Sequence, residues 1–178
     1  MTGEAHAASV AHDQPRREQA LTGGVGVAAL TRYPRLLLLR TFSKIAGLAG
    51  LRVGYAVGSA ETIDRLNRVR APYNVNRLGQ VAALAALEDG EHLARTRALV
   101  LEERAFLSTE LARRGFRFPS SQANFLLVRV ADAEAAGKRL LAAGLIVRDG
   151  GGVGFPDHLR IAVGTHDVNR RLLAALDA

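Results

Sequence analysis

The sequence predicts an α/β protein. From Gly115 onward, short apolar segments of strand length alternate with helix-length segments that begin at a polar cap and end at a glycine. Before that point, two strand-like segments precede three helical ones. Strands alternating with helices at these lengths favour a layered sheet with helices packed on one face. With 178 residues, of which 48% are hydrophobic, the chain is long enough to bury a core.

Two strands and three helices are predicted in the first part of the chain. The strands are apolar runs that flank a glycine-containing loop, and the helices carry apolar residues at helical spacing on one face. Pro72 stops the first helix, Asn76 caps the second, and Gly115 ends the third. In chain order we expect strands at 36–40 and 52–57, and helices at 59–70, 76–90 and 92–114.

Three further strands and two helices are predicted after Gly115. Asp132 caps one helix and Gly144 terminates it, while Thr165 caps the last helix. The strands are expected at 124–130, 145–148 and 159–163, and the helices at 132–143 and 165–176. Residues 1–24 are polar and rich in small residues with no sustained period, and we expect a disordered lead-in there.

Composition excludes several classes of function. The chain has no cysteine, which rules out disulfides, thiol catalysis and thiolate metal sites, and we predict no metal site. The formal net charge is +7, but the arginines are interleaved with acidic residues along helices, and aromatic residues are only 5% of the chain; we therefore predict no nucleic-acid binding. No apolar run approaches the roughly 20 residues that span a bilayer, and no signal-peptide pattern opens the chain. We predict a cytoplasmic protein without membrane contact.

The loop between the first two predicted strands carries the most informative chemistry. Only Lys44 and Lys138 of the 24 basic residues are lysine, and guanidinium groups cannot condense with aldehydes. In Thr41–Tyr55, Ser43 adjoins Lys44, and Arg52 follows eight positions later. An arginine and a hydroxyl can hold a phosphate while an amine meets an electrophile at the far end of the same ligand. A surface lysine with a rim arginine explains the spacing equally well. The glycine spacing does not match a nucleotide-binding motif.

The string TFSKIAGLAGLRVGYAVG resembles the cofactor-lysine motif of the fold type I pyridoxal-phosphate aminotransferases, and most of all the histidinol-phosphate aminotransferases. Further matches are APYNVNRLGQVAALAAL, SSQANFLLVRV, AAGLIVRD and HLRIAVGTHDVNRRLLAAL. The resemblance covers residues 29–178. It implies the C-terminal part of the family's large domain at residues 25–90, and a bridging helix with the small C-terminal α/β domain at 91–178. It also implies a homodimer.

The resemblance implies roles for seven residues. Lys44 matches the lysine that bonds to pyridoxal phosphate and later moves a substrate proton. Thr41, Ser43 and Arg52 match residues around the cofactor phosphate. Arg160 matches the arginine that binds the anionic group of the substrate, Arg148 matches a second substrate arginine, and Asn124 matches a polar residue near the substrate. The alternative for the last three is structural, with the arginines capping strand ends and Asn124 serving a turn.

The reaction implied is transfer of an amino group from a small-molecule donor to a 2-oxo acid, with histidinol phosphate and 2-oxoglutarate as the substrates. An aromatic amino acid aminotransferase is the near alternative. Family members are longer, and their preceding part supplies an acid and an aromatic residue to the cofactor ring; neither is identifiable here. We therefore expect a truncated chain. A catalytically impaired fragment that only pairs with a partner chain is a further alternative.

Overall fold

A computed structural model describes residues 26–177 and divides the chain into two compact units, with the boundary between Ala94 and Arg95. The expected lead-in at residues 1–24 lies outside the described residues. Within the described part, no helix combines the length and the apolar composition required to cross a bilayer. Each unit has its own apolar core.

The first unit is built around a two-stranded antiparallel ladder. Strands β1 and β2 pair with Thr41 opposite Gly54. Phe42, Val53 and Ala83 form the buried core beside this ladder. The bounds of its elements are α1 Ala29–Arg32, β1 Leu38–Thr41, β2 Gly54–Val57, α2 Ala60–Val69 and α3 Arg77–Glu88, and α4 Gly90–Arg113 begins in this unit. Of these, only the short α1 was not expected from the sequence.

The helix cap predicted at Asn76 is confirmed, and Ser59 forms a second cap that was not predicted. The Asn76 side chain accepts a hydrogen bond from the backbone N–H of Gly79 at 2.7 Å, which begins α3. Ser59 accepts from the N–H of Thr62 at 3.3 Å and so caps α2. Each cap satisfies one of the backbone donors that the first helical turn leaves unpaired.

The second unit is a three-stranded antiparallel sheet in the order β3-β5-β4. Alternate residues of β3 and β5 are buried, among them Leu126 and Ile161, and they join helix side chains such as Leu107 and Leu173 in one core. The predicted layering of a sheet against helices is therefore confirmed. Its elements are β3 Phe125–Arg129, α5 Ala133–Ala142, β4 Arg148–Asp149, β5 His158–Ala162 and α6 His166–Asp177.

The strand expected at 145–148 is wrong in its bounds, because β4 covers only Arg148–Asp149. The backbone N–H of Leu145 donates to the Leu140 carbonyl at 2.8 Å, and that of Gly144 donates to Leu141 at 2.9 Å. This pair of bonds closes the end of α5, with Gly144 at φ +74°. Leu145 is then buried in the core rather than paired in the sheet. The backbone N–H of Leu145, which the apolar pattern assigned to a strand, is therefore bonded to the end of α5 instead.

Candidate active site

The loop that carries Lys44 is closed at its base by backbone hydrogen bonds. The N–H of Phe42 donates to the Val53 carbonyl at 3.1 Å, one step beyond the Thr41–Gly54 pair of the ladder. The N–H of Leu48 then donates back to the Phe42 carbonyl at 3.0 Å. Because Phe42 and Val53 are joined, the next residues outward, Ser43 and Arg52, stand on the two sides of one closure.

Lys44 lies in a turn just beyond this closure. Its carbonyl accepts from the N–H of Gly47 at 2.9 Å, which folds the loop back on itself. The side chain is exposed, and its amine forms no hydrogen bond or ion pair within residues 26–177. The amine is therefore free to meet a ligand.

The two hydroxyl groups before Lys44 differ in whether they are free to contact a ligand. The Thr41 hydroxyl oxygen accepts from the backbone N–H of Ser43 at 3.0 Å, so this contact fixes the start of the loop. The half-buried Ser43 hydroxyl has no partner within the described part of the chain. Ser43 is thus the better placed of the two to donate to a ligand.

Arg52 adopts a left-handed backbone conformation, with φ 56° and ψ 46°. For a residue with a side chain this conformation costs about 1 kcal/mol and persists only where neighbouring contacts fix it. Its exposed guanidinium donates from Nη1 to the Ala49 carbonyl at 2.9 Å, within the preceding 3₁₀ turn, which covers Ala49–Leu51. The structure therefore holds Arg52 beside the Lys44 loop in a strained conformation.

In the second unit, the sheet brings the two predicted substrate arginines together. Arg148 of β4 is the direct cross-strand partner of Arg160 of β5. The Arg160 guanidinium lies over the ring of Phe125, 3.9 Å from its centroid. Neither arginine forms an ion pair with any acidic residue in the range 26–177. Two like charges directly opposite each other repel, which favours binding of an anion between them.

Asn124 lies at the end of the β3–β5 ladder, one residue before Phe125. Its backbone carbonyl accepts from the N–H of Val163 at 2.9 Å and so extends the β3–β5 ladder. Val163 is three residues beyond Arg160, roughly 10 Å along a strand. Asn124 is exposed, and its side-chain amide has no partner among the described residues. The structure therefore leaves Asn124 available but does not join it to the arginine pair.

A buried polar cluster was missed by the sequence reasoning. The Glu103 carboxylate is buried and accepts from Asn169 Nδ2 at 2.8 Å. His166 Nδ1 lies 3.0 Å from its other oxygen. The available signal was spacing, because Glu103 precedes the buried Leu107 and Leu111 by one and two helical turns on the same face of α4. The cluster ties α4 to the start of α6.

Two open cavities in the second unit contain none of the predicted site residues. One, of about 410 Å³, lies between Arg117, Arg129 and Asp157, and the other, of about 470 Å³, lies beside Phe106 and Arg170. Over residues 26–177, no group of three or more His, Asp or Glu side chains is arranged to hold a metal ion.

Comparison with known proteins identifies the family. The family model of aminotransferase class I and II matches residues 1–176. Histidinol-phosphate aminotransferase 1 of Cupriavidus pinatubonensis is 48% identical over 155 residues, which are 85% of this chain and 41% of that protein. The histidinol-phosphate aminotransferase of Symbiobacterium thermophilum is 43% identical over 93% of this chain and 46% of its own length.

Solved structures agree with these sequence matches. The crystal structure of histidinol-phosphate aminotransferase from Sinorhizobium meliloti, in complex with pyridoxal-5'-phosphate, is 30% identical with a TM-score of 0.72, over 80% of this chain and 40% of that one. A putative aminotransferase from Burkholderia pseudomallei is 39% identical with a TM-score of 0.75, over 79% of this chain and 44% of that one. The chain thus spans less than half the length of these relatives. It belongs to the aminotransferase class I and II family.

Proposed function

We propose that this chain supplies the lysine loop and the substrate-binding arginines of a pyridoxal-phosphate-dependent aminotransferase. The observation that carries the proposal is the exposed, unpaired amine of Lys44 on a loop closed by the hydrogen bond between Phe42 and Val53, with Ser43 and Arg52 as the next residue on either side of that closure. The amino donor we propose is histidinol phosphate and the acceptor 2-oxoglutarate. Relatives that carry the name histidinol-phosphate aminotransferase support this choice of donor.

The groups of the loop fit the chemistry of pyridoxal phosphate. An aldehyde requires a primary amine, and a phosphate requires donors of hydrogen bonds and positive charge. Lys44 offers the amine and Ser43 a hydroxyl. The Arg52 guanidinium has five N–H groups and uses one of them on Ala49, so the others are available for a phosphate.

We propose a role for each of these residues. Pyridoxal phosphate, when bound, supplies the electron sink that makes the substrate α-proton acidic. The Lys44 amine would take that proton from the substrate carbon as a general base and then deliver it to the cofactor as a general acid. Arg148 and Arg160 bind the phosphate of the donor and the carboxylates of the acceptor, since either anion relieves the repulsion between the two guanidinium groups. Asn124 contributes a polar contact to the substrate.

The test uses the fact that the chain contains only two lysines. The protein is incubated with pyridoxal phosphate, reduced with borohydride, and digested for peptide mass mapping. Lys138 is the internal control: it is exposed and pairs with Glu134 at 2.6 Å, and this hydrogen bond raises the pKa of Lys138. We expect the label on Lys44 and not on Lys138, with loss of the label in Lys44→Ala. Equal labelling of both lysines, or no label, would contradict the proposal.

The donor is tested separately from the cofactor. The protein is incubated with pyridoxal phosphate without borohydride reduction. Histidinol phosphate or phenylalanine is then added, and the change in the absorbance of the cofactor is followed. A doubly charged phosphate gains more from two adjacent guanidinium groups than a single carboxylate does. We therefore expect Arg148→Gln to weaken the response to histidinol phosphate more than the response to phenylalanine. Equal losses would favour an aromatic amino acid aminotransferase.

A second candidate function is that of a pairing fragment without activity of its own. Large apolar side chains are exposed in the first unit, including Tyr73 at 98%, Val69 at 79%, Leu78 at 73% and Leu39 at 69%. Such exposure favours burial against another polypeptide. If this candidate is right, the chain gains activity or stability only when mixed with the portion of a relative that precedes the matched region.

The remaining proposals concern organisation and assembly. We propose that residues 25–90 correspond to part of the family's cofactor-binding large domain and residues 91–178 to the bridging helix and the small domain. We also propose a cytoplasmic homodimer, which light scattering coupled to gel filtration tests directly. A monomer at micromolar concentration would refute the dimer without affecting the labelling of Lys44.

A further inference from the structure

The first turn of α3 contacts both residues that flank Arg52 in the sequence. On one side, Asn76 Nδ2 donates to the Leu51 carbonyl at 3.0 Å. The same side chain accepts from the N–H of Gly79 at 2.7 Å, so its amide group is fixed from both ends. One side chain therefore caps the helix and holds a carbonyl 25 positions earlier in the chain.

On the other side, the backbone of the same helical turn packs against Val53. A Cβ atom placed on the buried Gly79 would lie 2.6 Å from Val53 Cγ2 and 3.3 Å from the Leu51 carbonyl oxygen. The helix approaches the loop this closely only because residue 79 has no side chain. Val53 is in turn fixed by its carbonyl, which accepts from Phe42.

Arg52 itself has few contacts that would hold it in place. It is exposed, it is left-handed at φ 56°, and its one hydrogen bond from the side chain goes to its own 3₁₀ turn. A free loop residue with a side chain relaxes to negative φ, and such a change turns the side chain to another direction. The contacts to Leu51 and Val53 are what oppose that relaxation.

We propose that Asn76, together with Gly79, positions Arg52 to bind the phosphate of the cofactor; this inference rests on the proposed function. Asn76 does not contact the ligand in this role. It sets the backbone of the residue that does. The expected consequence depends on the phosphate. Substitution of Asn76 should weaken the binding of a ligand whose phosphate contacts Arg52, and should leave unchanged the binding of a ligand that lacks the phosphate.

The test compares pyridoxal phosphate with pyridoxal. Asn76→Ser keeps a good helix cap but is too short to reach the Leu51 carbonyl. The matched control is Ser59→Ala, which removes a cap from α2 in the same unit. We expect Asn76→Ser to bind pyridoxal phosphate about 3- to 10-fold more weakly, as for one lost hydrogen bond, and pyridoxal within about twofold of wild type. Ser59→Ala should alter neither affinity. Equal losses for both ligands would overturn the proposal.

A double variant tests whether the effect passes through Arg52. Arg52→Asn removes the guanidinium but tolerates the left-handed backbone. In that background, Asn76→Ser should cause no further loss of affinity for pyridoxal phosphate. A loss equal to that in the wild-type background would show that Asn76 acts by another route.

Hydrogen exchange supplies a readout that requires no cofactor. The amides of Leu51 and Phe42, which bond to Leu48 and Val53, report the order of the loop on either side of Arg52. They should exchange faster in Asn76→Ser and at the wild-type rate in Ser59→Ala. Unchanged exchange in Asn76→Ser would refute the positioning role. Faster exchange in a chain that fails to bind pyridoxal phosphate would instead support the positioning role and refute the proposed function.

Discussion

The stability of the second unit should depend strongly on Asn169. This side chain is 1% exposed, and it makes three hydrogen bonds: its oxygen accepts from the N–H of Gly164 at 3.0 Å, and its Nδ2 donates to the Gly164 carbonyl at 3.1 Å and to the Glu103 carboxylate at 2.8 Å. A neutral bond contributes about 1 kcal/mol and one to a buried charge about 2 kcal/mol. Because Gly164 is half-buried and water can replace part of its bonding, Asn169→Ala should cost about 3 kcal/mol.

Urea unfolding followed by circular dichroism measures this loss, with Asn67→Ala as the control. Asn67 is exposed and accepts one bond from Arg70, so its removal should cost less than about 0.5 kcal/mol. Much of the loss at Asn169 comes from the buried Glu103 oxygen that loses its donor, while His166 still contacts the other oxygen. Adding Glu103→Leu to the Asn169→Ala variant should therefore recover part of the loss. If Asn169→Ala costs less than about 1 kcal/mol, or if the losses of the two variants simply add, the reasoning is wrong.

Two further predictions concern charged residues of the second unit. Hydrogen bonds from Arg113 and Arg114 lower the pKa of Glu110 from 4.5 to about 2. The stabilisation from Glu110 is thus complete above its unfolded-state pKa and is lost as the pH falls towards 2. The urea midpoints of wild type and Glu110→Gln should therefore differ at pH 6 and converge near pH 2. A difference that stays constant with pH would contradict this prediction. Arg148→Gln should stabilise the unit by about 0.2–1 kcal/mol, because it removes the repulsion with Arg160, and should weaken histidinol phosphate binding in calorimetry by about tenfold. A destabilised variant with unchanged binding would contradict that prediction.

Local signals in the sequence predicted most of the elements. Caps such as Asn76 and Asp132 mark helix starts because their side chains satisfy backbone donors only three residues away. The order β3-β5-β4 was not predictable, because it depends on contacts between distant segments. At Leu145 the apolar pattern was ambiguous, since a buried residue after a helix looks the same whether it pairs in a sheet or closes the helix.

The candidate site also contains residues that the sequence predicts and contacts that it does not predict. Lys44, Ser43 and Arg52 lie within one short motif, so the sequence was sufficient to name them. The pairing of Arg148 with Arg160 depends on strand register, and the reach of Asn76 to Leu51 depends on the packing of α3 against the loop. Neither relation has a periodic or spacing signal, which is why only the structure shows them.

The ladder of β1 and β2 has a practical consequence for handling the protein. It is two strands wide, and exposed Leu39 lies on β1, so an apolar side chain stands beside backbone groups that can pair with another strand. Concentrated samples should therefore tend to form insoluble aggregates through edge-to-edge contacts. A charged gatekeeper at this position, Leu39→Glu, should raise solubility while adding no amine that would compete in lysine labelling.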